Sequence, residues 1–166
     1  SDYCKGLSDS FGKDFQALGG TVTISVPHET GKADYSAEVA SMDSAGGDAM
    51  AVFGYVNQGG PGIMQASLDS GSFDKSILAD GMYGDDLLTN VEGDLTGTFG
   101  TVPGTDSKGA ATYADMANAA GLKGSGPFTG ESYDEAALLI LAMQSAGSTD
   151  GAAIASNVMG LANAPG

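Results

Sequence analysis

Leu7, Phe11, Phe15 and Leu18 recur at intervals of three and four residues, the spacing of one helix face, and Gly19-Gly20 ends the run. Residues 3–18 are therefore predicted as a helix, entered through Ser1-Asp2 as its N-cap. Residues 21–26, Thr-Val-Thr-Ile-Ser-Val, alternate β-branched side chains with polar ones, and Pro27 closes them as a strand. From Asp34 a second helix carries Tyr35, Val39 and Met42 as far as Gly46-Gly47. Residues 49–53 form a short, wholly apolar run of the kind found in a strand covered on both faces. Gly59-Gly60-Pro61 opens a helix through Ile63, Met64 and Leu68 that stops at Gly71. Residues 76–79 read as a strand, 85–91 as a short helix and 98–101 as a further strand. Helices over 107–120, 131–146 and 151–162 complete the chain, which closes on the turn-like Ala164-Pro165-Gly166.

Strand and helix in alternation predict an α/β fold. Its expected form is a three-layer, Rossmann-like lobe with a mainly parallel sheet of about four strands flanked by helices. Ligands of such sheets bind beyond the carboxyl ends of the strands. Here those ends are the loops 27–31, 54–59 and 80–85, which hold Tyr55, Asn57, Asp80, Tyr83 and Asp85. The helix over 131–146 stands apart. Its segment from Ala136 to Met143 is apolar nearly all round and calls for burial on several sides.

Charge narrows the function. Six lysines, no arginine and 21 acidic residues in 166 give a formal net charge of −15, which repels phosphate backbones and anionic lipid. Nucleic acid is therefore not an expected partner. The lack of arginine also removes any bidentate clamp on phosphate or carboxylate. No apolar run reaches the roughly 18 residues of a membrane span.

Catalytic chemistry finds little support. His28 is the lone histidine, and a neighbouring Glu29 does not make a triad; a solvated loop position is the expected one. Cys4 lies in a first helical turn, where the dipole lowers a thiol pKa, yet no histidine partners it in sequence and packing is its expected role. A single cysteine allows neither an intrachain disulfide nor a cysteine zinc site. Asp80, Asp85 and Asp86 lack the spacing of a calcium loop and are expected to cap the helix that begins near Asp86. Gly124-Ser125-Gly126-Pro127 does not follow a strand as a phosphate cradle would. The seven methionines are expected to fill the core. No catalytic residue, metal or cofactor is expected.

The aromatic loop residues say more. Tyr3 stands at a helix start, Tyr55 just past a strand and Tyr83 in the third strand-end loop, with Asp80 between them. A carboxylate flanked by aromatic faces suits a cationic ammonium group.

A series of short segments then points one way. Ser-Asp-Tyr-Cys-Lys-Gly-Leu (1–7) resembles the stretch that opens the second lobe of type I periplasmic binding proteins, the substrate-binding subunits of branched-chain amino-acid ABC transporters. In order follow Asp34-Tyr35-Ser36-Ala37-Glu38-Val39, Val52-Phe53-Gly54-Tyr55 and Ala79-Asp80-Gly81-Met82-Tyr83. Gly126-Pro127-Phe128, Tyr133-Asp134-Glu135-Ala136-Ala137-Leu138-Leu139 and Ala146-Gly147-Ser148-Thr149-Asp150-Gly151 complete the series. Cys4 stands where the family usually has glycine.

The resemblance implies a non-catalytic binding lobe. Residues 1–106 would be the α/β core of the second lobe, and 107–166 the helices that cross back toward a first lobe not included here. Ligand contacts would come from Tyr3, Tyr55, Asp80, Gly81 and Tyr83, with the partner of the ligand ammonium in the loop of Asp80 and Gly81. The implied ligand is a branched-chain or related amino acid. The implied protein partner is the membrane permease of an ABC transporter, and the implied location is periplasmic. Both chain ends look cut, so the terminal helices are expected to drive association between copies. Two alternatives stand beside this reading. One is a small α/β enzyme using Asp80 or Cys4 in the strand-end cleft; the other is a self-associating structural half-domain.

Overall fold

The computed structural model describes residues 1–163, and the turn expected at Ala164-Pro165-Gly166 lies outside the described residues. The chain divides into two compact units, Ser1–Val102 and Pro103–Gly166.

The first unit runs α1 (Asp2–Ala17), α2 (Ser36–Ala45), β1 (Met50–Val52), α3 (Gly60–Ser70), β2 (Ser76–Leu78), a 3₁₀ turn (Asp80–Met82), α4 (Asp85–Asn90) and β3 (Thr98–Gly100). The strands form a parallel sheet in the order β1-β2-β3, with Met50 opposite Ser76 and Ser76 opposite Thr98. Period-two alternation then sorts the side chains. Met50, Val52 and Leu78 are buried in one cluster with Tyr35, Val39, Ile63, Met64, Met82, Leu87 and Val91. Thus α2, α3, the 3₁₀ turn and α4 supply one side of the core. On the opposite side Ile77 and Phe99 are left 38% and 66% exposed. There the Phe11 ring of α1 meets Phe53 at 5.4 Å. Burial on both faces, expected of residues 49–53, is complete on one face only.

The sheet has three strands where about four are expected. Residues 21–26 do not join it. They run without regular secondary structure, and their backbone pairs with no neighbour among the described residues. Strand propensity acts through cross-strand contacts, so an alternating sequence is strand-like without being a strand until an edge receives it.

The second unit is helical: α5 (Lys108–Ala119), α6 (Thr129–Ala146) and α7 (Gly151–Ala162). Helix α6 packs against α7, where Ala142 and Ile154 are buried, and Ser145 Oγ donates to Asn157 Oδ1 at 3.0 Å. Helix α7 covers one stripe, and α5 meets α6 near its start, where the Tyr113 and Tyr133 rings lie 5.4 Å apart. Leu139, Ile140 and Leu141 of the apolar segment stay 47%, 65% and 55% exposed, against the burial on several sides that the sequence calls for. The Asp150 carboxylate accepts from the N–H groups of Ala152 and Ala153 at 3.1 and 3.0 Å and so caps α7. Asp150→Ala should cost about 1 kcal/mol of stability in this unit, read as a lower urea midpoint of its helical signal. Among the described residues no helix is long and apolar enough to cross a membrane.

Candidate functional site

Two loops leave the carboxyl ends of neighbouring strands and are tied to each other. After β1 comes Gly54-Tyr55-Val56; after β2 comes Ala79 and the 3₁₀ turn. Val56 N–H donates to the Gly81 carbonyl at 3.0 Å, while Met82, almost wholly buried, anchors the turn in the core. Gly81 is required here. A Cβ at this position would collide with the Gly54 carbonyl oxygen and come within 2.9 Å of the Tyr55 ring. No side chain fits at 81, so the carboxylate of this turn is Asp80.

Helix α1 brings the third component. Its first turn, capped by Ser1 Oγ accepting from Cys4 N–H at 3.3 Å, carries Tyr3 into the two loops. The Tyr3 hydroxyl donates to Asp80 Oδ1 at 2.5 Å and accepts from Gly81 N–H at 3.2 Å. Its ring stacks on Tyr55 with centroids 5.0 Å apart and planes 30° from parallel. Four expected site residues, Tyr3, Tyr55, Asp80 and Gly81, thus meet in one contact set although they span 78 positions of sequence.

Tyr83 is placed otherwise. Its backbone N–H closes the turn on the Asp80 carbonyl at 2.9 Å, but its side chain is 53% exposed. Among the described residues no hydrogen bond or ring contact joins that side chain to the other four. Asp85 and Asp86 fall in the first turn of α4 without any side-chain cap bond, contrary to the capping role expected of them. They favour the positive end of that helix by charge alone. His28 is half-buried with its ring edge-on to Tyr35 at 6.2 Å, and burial lowers its pKa. It is not the solvated loop residue expected. Cys4 Sγ accepts from Ser1 Oγ at 3.1 Å. No group of three or more metal-ligating side chains occurs among the described residues. Gly54 and Val56 are the site residues that sequence reading passed over. The one available signal was a glycine at the end of an apolar run, too common to single out.

Electrostatics favour a cation at this point. Burial, then the hydrogen bond to the Asp80 carboxylate, push the Tyr3 phenol up to about 12. Tyr3 is thus a fixed neutral donor that holds one carboxylate oxygen, and the second oxygen of Asp80 has no hydrogen-bond partner among the described residues. A negative oxygen beside two stacked aromatic faces suits a cationic group better than an anion. Because the folded pKa lies above the ordinary 10.0, this interaction stabilises the fold fully below pH 10.0 and is lost as pH rises through about 12. Ultraviolet titration of the six tyrosines should show one ionising last, and Tyr3→Phe should remove that step.

A comparison with curated proteins gives no match. The family model described as periplasmic binding protein matches residues 1–162. With nearly the whole chain matched in sequence and a small parallel sheet flanked by helices, the chain belongs to the periplasmic binding protein family, whose members bind small solutes outside the cytoplasm.

Proposed function

We propose that this chain is the second-lobe portion of a solute receptor that serves an ABC transporter permease in the periplasm. Its ligand on this reading is an amino acid of the branched-chain or a related class. The Asp80 carboxylate receives the ligand ammonium, with Tyr3 and Tyr55 as an aromatic wall around it. The observation that carries the reading is the convergence of Tyr3 and Tyr55 on Asp80 at the carboxyl ends of two parallel strands. There one carboxylate oxygen is held by the Tyr3 hydroxyl, and on this reading the other is the one that meets the ligand. No base is arranged against a nucleophile at this point, and the arrangement suits binding better than turnover.

Titration followed by NMR tests it directly, with the Gly81 and Tyr55 amides as reporters. Leucine, isoleucine and valine should shift both signals, whereas N-acetyl-leucine, which lacks the charged amine, should leave them in place. Equal shifts with N-acetyl-leucine, or none with any free amino acid at tens of millimolar (about −3 kcal/mol or weaker), would overturn the ammonium reading.

A further inference from the structure

Two rings from the segment between α1 and α2 grip the loop that carries Tyr55. His28 and Tyr35 meet edge to face, with centroids 6.2 Å apart. At the start of the loop, a Cβ on Gly54 would stand 3.8 Å from His28 Nε2 and 3.5 Å from Met82 Sδ, so the imidazole and the buried anchor of the 3₁₀ turn both close on Gly54. At its end, a Cβ on Gly59 would meet the Tyr35 hydroxyl oxygen at 2.0 Å. Tyr35 is almost wholly buried, and its hydroxyl donates to the Glu29 carbonyl at 3.0 Å, which ties the residue after His28 to the start of α2. Between the two grips the Tyr55 carbonyl accepts from the Gln58 and Gly60 N–H groups, each at 3.1 Å, and Val56 N–H reaches the Gly81 carbonyl. The seat of His28 is thus continuous, contact by contact, with Tyr55 and Gly81.

That seat suits an uncharged ring. His28 is half-buried, and neither ring nitrogen has a hydrogen-bond partner among the described residues. The charges around it are Glu38 from α2, the Ser1 amino group ahead of α1, and Glu29 and Lys32 of its own loop; Cys4 and Tyr55 line the same groove. Glu38 draws a proton toward His28, but Lys32 already pairs with Glu38 Oε1, and Oε2 is buried without a partner among the described residues. Burial, then the Ser1 amino group, outweigh that attraction and hold the His28 pKa below the ordinary 6.5. With the folded value lowered, the packed ring stabilises the fold fully above pH 6.5, and this contribution is lost as pH falls through the lowered value.

We infer that His28 is a positioning residue: as a neutral ring it holds the Gly54–Tyr55 corner against the 3₁₀ turn, and on protonation it leaves this seat and the site lets its ligand go. The ligand half of this inference rests on the amino-acid reading above; the positioning half rests on the contacts at Gly54 and Gly59. An imidazolium carries a donor at both nitrogens, and Gly54, Met82 and the Tyr35 ring offer it no acceptor side chain. Once the ring leaves, Tyr55 loses one support of the geometry that stacks it on Tyr3. A positive ring near the corner also repels a ligand ammonium, so both effects weaken binding in acid. Histidine is the side chain whose ordinary pKa lets this happen near neutrality.

An NMR pH titration of the ligand-free 166-residue chain from about pH 8 to about pH 5, following the His28 ring and the Tyr55 and Gly81 amides, tests the positioning half. Both amides should move in the step in which the ring protonates. His28→Gln keeps a neutral polar side chain and should abolish that step, while Glu38→Gln removes the opposing charge and should move it to lower pH. In calorimetric titration, leucine should bind the unmodified chain about fivefold or more weakly at about pH 5 than at about pH 7.5, and His28→Gln should bring the two values within about twofold. Amides that stay still while the ring titrates, or a step that survives His28→Gln at the same pH, would overturn the positioning role. Leucine affinity that falls in acid equally with and without His28 would overturn its hold on the ligand. Absence of leucine binding at both pH values, beside an intact His28 step, would overturn the amino-acid reading alone and leave the positioning of the corner supported.

Discussion

Asp80→Asn should weaken binding of a free amino acid by roughly 2–5 kcal/mol, the cost of removing one partner from a desolvated charge pair. That corresponds to about 30-fold to several-thousand-fold in Kd. The substitution is nearly isosteric and leaves an amide oxygen for the Tyr3 hydroxyl, so the contact set of Tyr3, Gly81 and Tyr55 should persist. The loss then reports charge and not collapse of the turn. Tyr55→Ala removes a stacked ring and should cost less, about 0.5–1.5 kcal/mol beyond the area it covers. Asp85→Asn is the matched control, for it removes a carboxylate from the exposed first turn of α4. Calorimetric titration with leucine decides between them. An unchanged Kd in Asp80→Asn together with a loss in Asp85→Asn would move the ammonium contact to α4.

Met64→Ala should lower the stability of the first unit by about 2–5 kcal/mol, since it leaves a cavity among side chains that are already close-packed. Met64 is 1% exposed on α3 and lies in one cluster with Val39, Met50, Val52 and Met82. Met159→Ala on α7, where the side chain is 68% exposed, should stay within about 0.5 kcal/mol. Urea unfolding of the two variants gives the comparison, read as midpoint shifts at constant slope. Equal losses would mean that Met159 is covered in solution by something the isolated chain does not provide.

These methionines show where sequence reading reaches its limit. All seven were expected to fill the core on hydrophobicity alone, and 45% of Met116 and 68% of Met159 are exposed. Hydrophobicity reports a preference for burial, and whether a neighbouring element is there to bury it is a tertiary fact. The same distinction explains α6. Its apolar run marks a helix that wants several partners; α7 packs where Ala142 is buried and α5 meets it at Tyr133, while Ile140 stays exposed.

The sequence by itself determined the helices, the three strands of the sheet and their order, because helix periodicity, glycine stops and short apolar runs are local properties. It also marked Tyr55 and Asp80, since strand-end loops of a parallel sheet converge at one edge by topology, and Tyr3 at a helix start, while Gly81 came only from what the family resemblance implies. Only the tertiary structure decided what those residues are to each other. The Tyr3 hydroxyl bridges Asp80 and Gly81, and the Gly54 carbonyl bars any side chain at 81. Tyr83, equally well placed in sequence, has its side chain exposed instead. Residues 21–26 give the same lesson for the fold. Their alternation is local and legible, but a strand exists through the edge that pairs with it, and any such edge belongs to a distant part of the chain, β1 starting 24 positions after Val26.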